Sequence, residues 1–379
     1  MSWKKLNHKT VPGNKDLNLT TWKFSPVSGD KHGVISLERI RDKASTKAKS
    51  TLLYLPGTWG NSTLIDYREN YEFRIYLARN QVDIFSLDYR THSADIQDQD
   101  NLSFMADWTY GVFLEDIKKS VDFIKKITKT DKIFIAGMSR GGTLAYYYAC
   151  RNWFSDLAGL IILDGSLWWD YFSFDHKITL KEALDSFRIQ AAFQEETASR
   201  EQLMNVGRYS INLNFTKQLI QQAIDNPNAP SPVEGPKNLA EYMAERIHNS
   251  RGPCWGSKGI ANLFEGYNNI EILLAWLLSK DPYWPIVQIA ESISLHSQGI
   301  GSSEITYANQ INEVDVPVIA FFSQWYYSLD EKLKATKYIG SRDVTTQILN
   351  NWGHADILFG EYAHKKVFKP MCRWLKEKV

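Results

Sequence analysis

KIFIAGMSRGGTLAYYYAC (132–150) is the stretch on which the reading of this 379-residue chain turns. KIFIAG (132–137) is a short run of apolar, β-favouring residues, and GGTLAYYYAC reads as a helix. Between them Gly137-Met138-Ser139-Arg140-Gly141 must carry the chain abruptly from strand to helix. Small residues on either side of Ser139 suit such a turn, because a side chain there would clash in it. The turn lifts the Ser139 hydroxyl clear of the sheet and aims it over a helix N-terminus, which favours developing negative charge. An ordinary strand-to-helix turn with an incidental serine fits the same five residues, so the flanking chain has to be weighed with them.

Outward from this turn, β-rich runs alternate with amphipathic segments. TLLYLPG (51–57) is a strand closing in a Pro-Gly turn, Ser62 to Asn80 has a helical apolar period, and DIFSLDYR (83–90) is the next strand. Tyr110 to Thr128 places Val112, Phe113, Ile117, Val121, Phe123 and Ile124 at helical spacing. LAGLIILDG (157–165) is again a strand, and VPVIAFFS (316–323), TTQILNNWG (345–353) and VFKPMCRWLKEK (367–378) supply strand, strand and helix. TTWKFSPV (20–27) and HGVISLERIRD (32–42) read as two strands of an antiparallel edge. The pattern predicts an α/β architecture, a mostly parallel doubly wound sheet covered by helices.

From Ser166 to Val314 the alternation breaks. Helical patterns run from Leu180 to Phe193, Leu239 to Ile247 and Ile270 to Leu278, without a strand series. NPNAPSPVEGPK (226–237), with four prolines, must be loop. The expected organisation is a core of 1–165 and 315–379, interrupted by a helical cap at 166–314.

Hydrophobic residues make up 44% and charged residues 23%, enough for a sizeable core, and 44 Lys and Arg balance 43 Asp and Glu. No net field favours nucleic acid or another polyanion, and Lys4, Lys5 and Lys9 read as a solvated tail. No apolar signal region opens the chain, and LAGLIIL and IEILLAWLL are far shorter than the ~20 residues that span a bilayer, so a cytoplasmic protein without a membrane span is expected. Cys150, Cys254 and Cys372 lack metal-ligand spacing and are expected as free thiols. HExxH, Cys-x-x-Cys, phosphate-cradling and EF-hand patterns do not occur, so no metal or nucleotide cofactor is implied.

With Ser139 in its strand-turn-helix setting, the chain resembles the α/β-hydrolase family over about 50–165 and 314–379. LLYLPGTWG (52–60) resembles the family's oxyanion strap. By that resemblance a backbone N–H of Thr58, or alternatively of Trp59, would pair with that of Arg140 to bind the oxyanion. SLDYRTHS (86–93) is similar to the family's Asp-x-Arg-Gly-x-Gly-x-Ser turn, from which Thr91 and His92 depart. A serine hydroxyl needs a base within hydrogen-bond reach. The resemblance implies His354, in Asn351-Trp352-Gly353-His354-Ala355-Asp356, with His92 as the second choice.

Most relatives carry the orienting acid where this chain has Ser323-Gln324-Trp325-Tyr326-Tyr327, which contains no carboxylate. Asp164, ending LIILDG, is the preferred acid, and Asp330, at an apparent helix start, the competitor. Serine at the elbow argues against members with an aspartate nucleophile. Trp168, Trp169, Tyr171, Phe172, Phe174, Trp325, Tyr326 and Tyr327 crowd the two ends of the insertion. They either line a mouth for a small apolar or aromatic acyl substrate or hold the insertion to the core. The resemblance implies a hydrolase of carboxylic esters, lactones or thioesters acting through an acyl-enzyme. An acyltransferase with the same triad, or a non-catalytic ligand-binding member, are the alternatives.

Overall fold

The buried strands of this chain sort their side chains onto two faces. In the computed structural model, residues 2–25, 32–45, 48–94, 102–168, 176–197, 205–239, 241–243, 270–325 and 328–379 are described. In chain order these hold β1 (Lys4–Val11), β2 (Asn14–Phe24), β3 (Ile35–Asp42), β4 (Ser50–Leu55), α1 (Phe73–Arg79), β5 (Val82–Asp88), α2 (Tyr110–Thr128), β6 (Ile133–Met138), α3 (Arg140–Asp156) and β7 (Leu157–Leu163). There follow α4 (Leu180–Thr197), β8 (Asn205–Val206), β9 (Ser210–Asn212), α5 (Asn214–Asp225), α6 (Ile270–Ser279), β10 (Tyr283–Pro285) and α7 (Ile286–Gln298). Last come β11 (Val318–Ser323), α8 (Leu329–Tyr338), β12 (Val344–Leu349), α9 (Asp356–Phe359) and α10 (Lys369–Glu377).

One sheet runs β1-β2-β3-β5-β4-β6-β7-β11-β12, antiparallel from β1 to β5 and parallel from there on. Strands β4, β5, β6 and β11 are buried along their whole length, as continuous apolar runs covered on both faces should be. Alternation still decides the face. Leu53, Leu55, Phe85, Ile133 and Ile135 pack with Phe113 and Ile117 of α2 and Leu144 of α3. Leu52, Tyr54, Ile84 and Phe134 pack instead with Phe73 of α1 and Met371 and Trp374 of α10.

Three expectations change. Lys4, Lys5 and Lys9 are solvated, but within an edge strand rather than a tail: β1 pairs with β2 from Lys4↔Lys23 to Val11↔Asn14, so three strands and not two precede β4. Almost wholly exposed, β1 has no apolar face to announce it, and its lysines keep a sheet edge from recruiting another strand. The helix expected over Ser62 to Asn80 shrinks to α1. Side chains there bond nearby backbone instead, Asn61 Oδ1 accepting from Thr63 N at 2.9 Å and Asp66 Oδ1 from Arg68 N at 2.7 Å.

Within 166–314 the structure contains strands after all. β10, β9 and β8 form a separate antiparallel sheet whose strands of two or three residues are too short to show a period. Residues 226–237 carry no regular structure, as their prolines require. The helix expected from Leu239 to Ile247 extends outside the described residues. No helix among the described residues is long and apolar enough to cross a membrane.

Candidate active site

β6 ends at Met138 and α3 begins at Arg140, leaving Ser139 alone at the junction with φ 57° and ψ −123°. A non-glycine residue adopts that conformation only when its surroundings force it. Here Ser139 N donates to Leu163 O at 2.9 Å, and Ser139 O accepts from Gly142 N at 2.8 Å. The flanking glycines are sterically required: a Cβ on Gly137 would lie 2.2 Å from Gly141 O, and one on Gly141 would lie 2.0 Å from Leu55 O.

Gly141 therefore touches the end of β4, where Leu55 pairs with Gly137. The next residues fold over Ser139. A Cβ on Gly57 would stand 3.0 Å from Ser139 Cβ and 3.6 Å from its Oγ. The strap turns sharply, with Gly60 N donating to Gly57 O at 2.9 Å and Trp59 at φ 56°. Its carbonyls are held from the 166–314 stretch: Thr58 O accepts from Lys280 Nζ at 3.1 Å and Trp59 O from Asp281 N at 2.7 Å. The Arg140 side chain points into the core, Nη1 donating to Gln288 Oε1 at 2.9 Å and the guanidinium lying 4.9 Å from the Tyr89 ring centroid. What Arg140 offers Ser139 is its backbone N–H at the first helical position, where no intrahelical acceptor exists.

His354 lies between β12 and α9, only 2% exposed, with Nδ1 2.7 Å from Asp164 Oδ2. Asp164, at φ 53°, directly follows β7 and accepts three further bonds, from Ser323 N at 2.8 Å, Ser323 Oγ at 2.5 Å and Lys332 Nζ at 2.8 Å. Burial alone would raise the Asp164 carboxyl, but the Lys332 ammonium and the His354 bond outweigh it and hold it below its ordinary value of 3.8. Burial also dominates at His354. Although Asp164 pulls the other way, the imidazole stays below 6.5, with the Lys332 and Lys280 charges adding to the decrease.

The structure thus brings Asp164 to His354 and leaves Asp330 exposed on the first turn of α8. Ser139 is bonded to Leu163, the residue before Asp164, so it shares that end of the sheet. Comparison with solved structures agrees with the topology: over 100% of this chain and 99% of the other, it matches a candidate lipase from Sulfolobus solfataricus, with a TM-score of 0.72 and 23% identity.

The chain has the α/β-hydrolase fold.

A soluble variant of monoglyceride lipase from Saccharomyces cerevisiae matches with a TM-score of 0.50 and 14% identity, over 100% of this chain and 97% of that one. No family profile and no curated protein matches the sequence.

Within the α/β-hydrolase fold, two lysines missed in the sequence stand by the site. Lys332 is on the inner face of α8 with Ala335, three residues on, and that buried face was the available signal. Lys280 follows α6, 3.9 Å from the Trp276 ring centroid, and burial lowers its ammonium to about 7. His92, the second-choice base, bonds Asp281 Oδ1 through Nδ1 at 2.7 Å. Against the effect of burial, that bond and the neighbouring Asp88 raise it to about 9, which favours its charged form beside Asp281.

Trp168 is buried, its Nε1 donating to Glu331 Oε2 at 2.9 Å and its ring stacked on His296. Trp325 is half-buried, with its N–H on Trp352 O at 3.1 Å. Trp169, Tyr171, Phe172, Phe174, Tyr326, Tyr327 and Cys254 lie outside the described residues. Cys150 and Cys372 are buried free thiols.

Proposed function

We propose that this chain is a serine hydrolase that cleaves carboxylic esters, lactones or thioesters of small apolar or aromatic acyl groups through an acyl-enzyme. One observation carries the reading: the buried 2.7 Å bond from His354 Nδ1 to Asp164 Oδ2, at the strand end where Leu163 O binds the N–H of a serine forced to φ 57°. A hydrogen bond from Nδ1 fixes the tautomer and leaves Nε2 to take the Ser139 proton as the hydroxyl attacks the acyl carbon. Asp164 stabilises the imidazolium so formed. The N–H groups of Arg140 and of Thr58, or of Trp59 instead, receive the oxyanion. Collapse expels the alcohol or thiol, which takes the proton from His354, and water repeats the sequence to release the acid.

Residues 1–165 and 315–379 act as the core and 166–314 as a cap that helps shape the acyl pocket. The bonds from Lys280 and Asp281 to the strap carbonyls support this division, because they make the insertion part of the site's frame. The apolar preference is supported by Trp59, whose ring meets Trp284 edge-on within an apolar cluster that includes Phe187 and Ile289. The two solved structures of the same fold carry lipase names, in line with an ester substrate.

A fluorophosphonate probe tests the reading. It should label the wild-type chain at Ser139, identified by mass spectrometry of the modified peptide, and leave Ser139→Ala unlabelled. An unlabelled wild type, or equal labelling of both, overturns it.

A further inference from the structure

We propose that Lys332 is a positioning residue of this site, locking the Asp164 carboxylate in one orientation toward His354 through a bridge to β11. The inference rests on the reading of Ser139, His354 and Asp164 as a triad and adds a fourth group behind it. Asp164 Oδ1 accepts from Lys332 Nζ at 2.8 Å and Ser323 N at 2.8 Å, while Oδ2 accepts from Ser323 Oγ at 2.5 Å and His354 Nδ1 at 2.7 Å. Lys332 Nζ also donates to Ser323 O at 2.5 Å, so the ammonium ties the acid to the end of the neighbouring strand. With two donors on each oxygen the carboxylate cannot rotate without breaking bonds in a buried place.

Stability is a weak reason for this arrangement. Both side chains are almost wholly buried, at 1% and 0% exposure, and the desolvation of such a pair consumes most of its Coulomb attraction. A second consequence follows from charge. Lys332 favours ionised Asp164 and disfavours an imidazolium beside it, so its charge pushes both groups toward proton loss.

The charged groups facing His354 are Asp164 at the end of β7, Lys332 from α8 and Lys280 from the segment before β10. At the start of α9 Asp356 accepts from Gly353 N at 2.7 Å. On α8 itself, Asp330 is exposed and Glu331 is held by Lys334 and Trp168. Lys280 remains in every Lys332 variant, so a change on removing Lys332 belongs to Lys332.

The test compares the full-length wild type with Lys332→Met and Lys332→Arg. The His354 ring titration is followed by NMR, and kcat/KM for p-nitrophenyl acetate is followed against pH. The wild-type midpoint should lie below 6.5, the ordinary value. Lys332→Met should raise it by about one pH unit, move the acid limb of kcat/KM with it and lower kcat about tenfold. Lys332→Arg should keep the wild-type midpoint, because the charge remains. An unchanged midpoint and limb in Lys332→Met overturns the proposal, even if the variant is less stable. Should Lys332→Met not fold, the wild type still decides: a His354 midpoint at or above 6.5 overturns it. The NMR titration needs no activity, so a failed triad reading, seen as an unlabelled Ser139, is distinguishable from a failed role for Lys332.

Discussion

Lys332 Nζ stands 2.8 Å from Asp164 Oδ1, so the helix that carries Asp330, one candidate for the acid, supplies a partner to the other candidate instead. Ser323, at the end of β11, gives Asp164 both its N–H and its hydroxyl. The end of β11, which carries no carboxylate in the sequence Ser323-Gln324-Trp325, is occupied by a donor to a carboxylate from the adjacent strand. Exchange between neighbouring strand ends is physically easy, since β7 and β11 are paired in parallel and finish side by side.

The two candidate acids separate cleanly by mutation. Asp164→Asn should lower turnover by a factor of about 10² to 10⁴, because an amide favours the wrong imidazole tautomer. It should also cost about 3–5 kcal/mol of stability, since it strands the buried Lys332 ammonium without its anion. Asp330→Asn, on an exposed first turn, should change stability by about 1 kcal/mol or less and leave turnover nearly normal. Urea titrations and steady-state assays of the pair check this, and a collapse of activity in Asp330→Asn alone would return the acid to α8.

Ser139→Ala should fold like the wild type, because alanine meets the same backbone constraints at φ 57°. Ester hydrolysis should fall by about 10³-fold or more. Circular dichroism alongside the assay separates lost chemistry from lost structure, and activity within about tenfold of wild type, a barrier change of about 1.4 kcal/mol, would move the chemistry elsewhere.

Protonation of His354 gives a signed pH prediction. Its folded-state value lies below 6.5, so the unfolded chain binds its proton first as pH falls. Its contribution to stability is complete above 6.5 and is lost as pH drops toward the folded value, with Asp164 following the same sign below 3.8. Between pH 7 and 5, thermal melts should show the wild type losing stability relative to His354→Gln. A difference that grows as pH falls would mean that the imidazole is held in its charged form.

The elbow glycines should differ sharply from those in open loops. Gly141→Ala places a Cβ 2.0 Å from Leu55 O and should destabilise the fold by about 3 kcal/mol or more, or prevent soluble expression. At Gly299, φ is +84° with nothing within 4 Å, so alanine there should cost only about 1 kcal/mol of backbone strain. Equal losses in the two variants would remove the steric argument for the Gly137-Met138-Ser139-Arg140-Gly141 turn.

Residues 132–150, the runs that became β4 to β7, β11 and β12, and the placing of His354 were legible in the sequence. Each depends on local chemistry: a glycine demanded by backbone approach, an apolar run long enough for a period, a histidine in the loop after a final strand. β1 was not legible, because an edge strand with both faces in solvent has no apolar alternation. Nor was the sheet of β8, β9 and β10, whose strands of two or three residues are too short for an alternation to repeat. The acid stayed open between Asp164 and Asp330, because a carboxylate's partner depends on which strand ends meet. In the fold that meeting gives Asp164 two donors on each oxygen, which no spacing along the chain encodes. Lys332, Lys280 and Asp281 became visible only in three dimensions for the same reason. A buried charge is tolerated where its partner is brought to it, and partners 168 and 222 residues away along the chain are brought by the tertiary fold, not by the sequence around them.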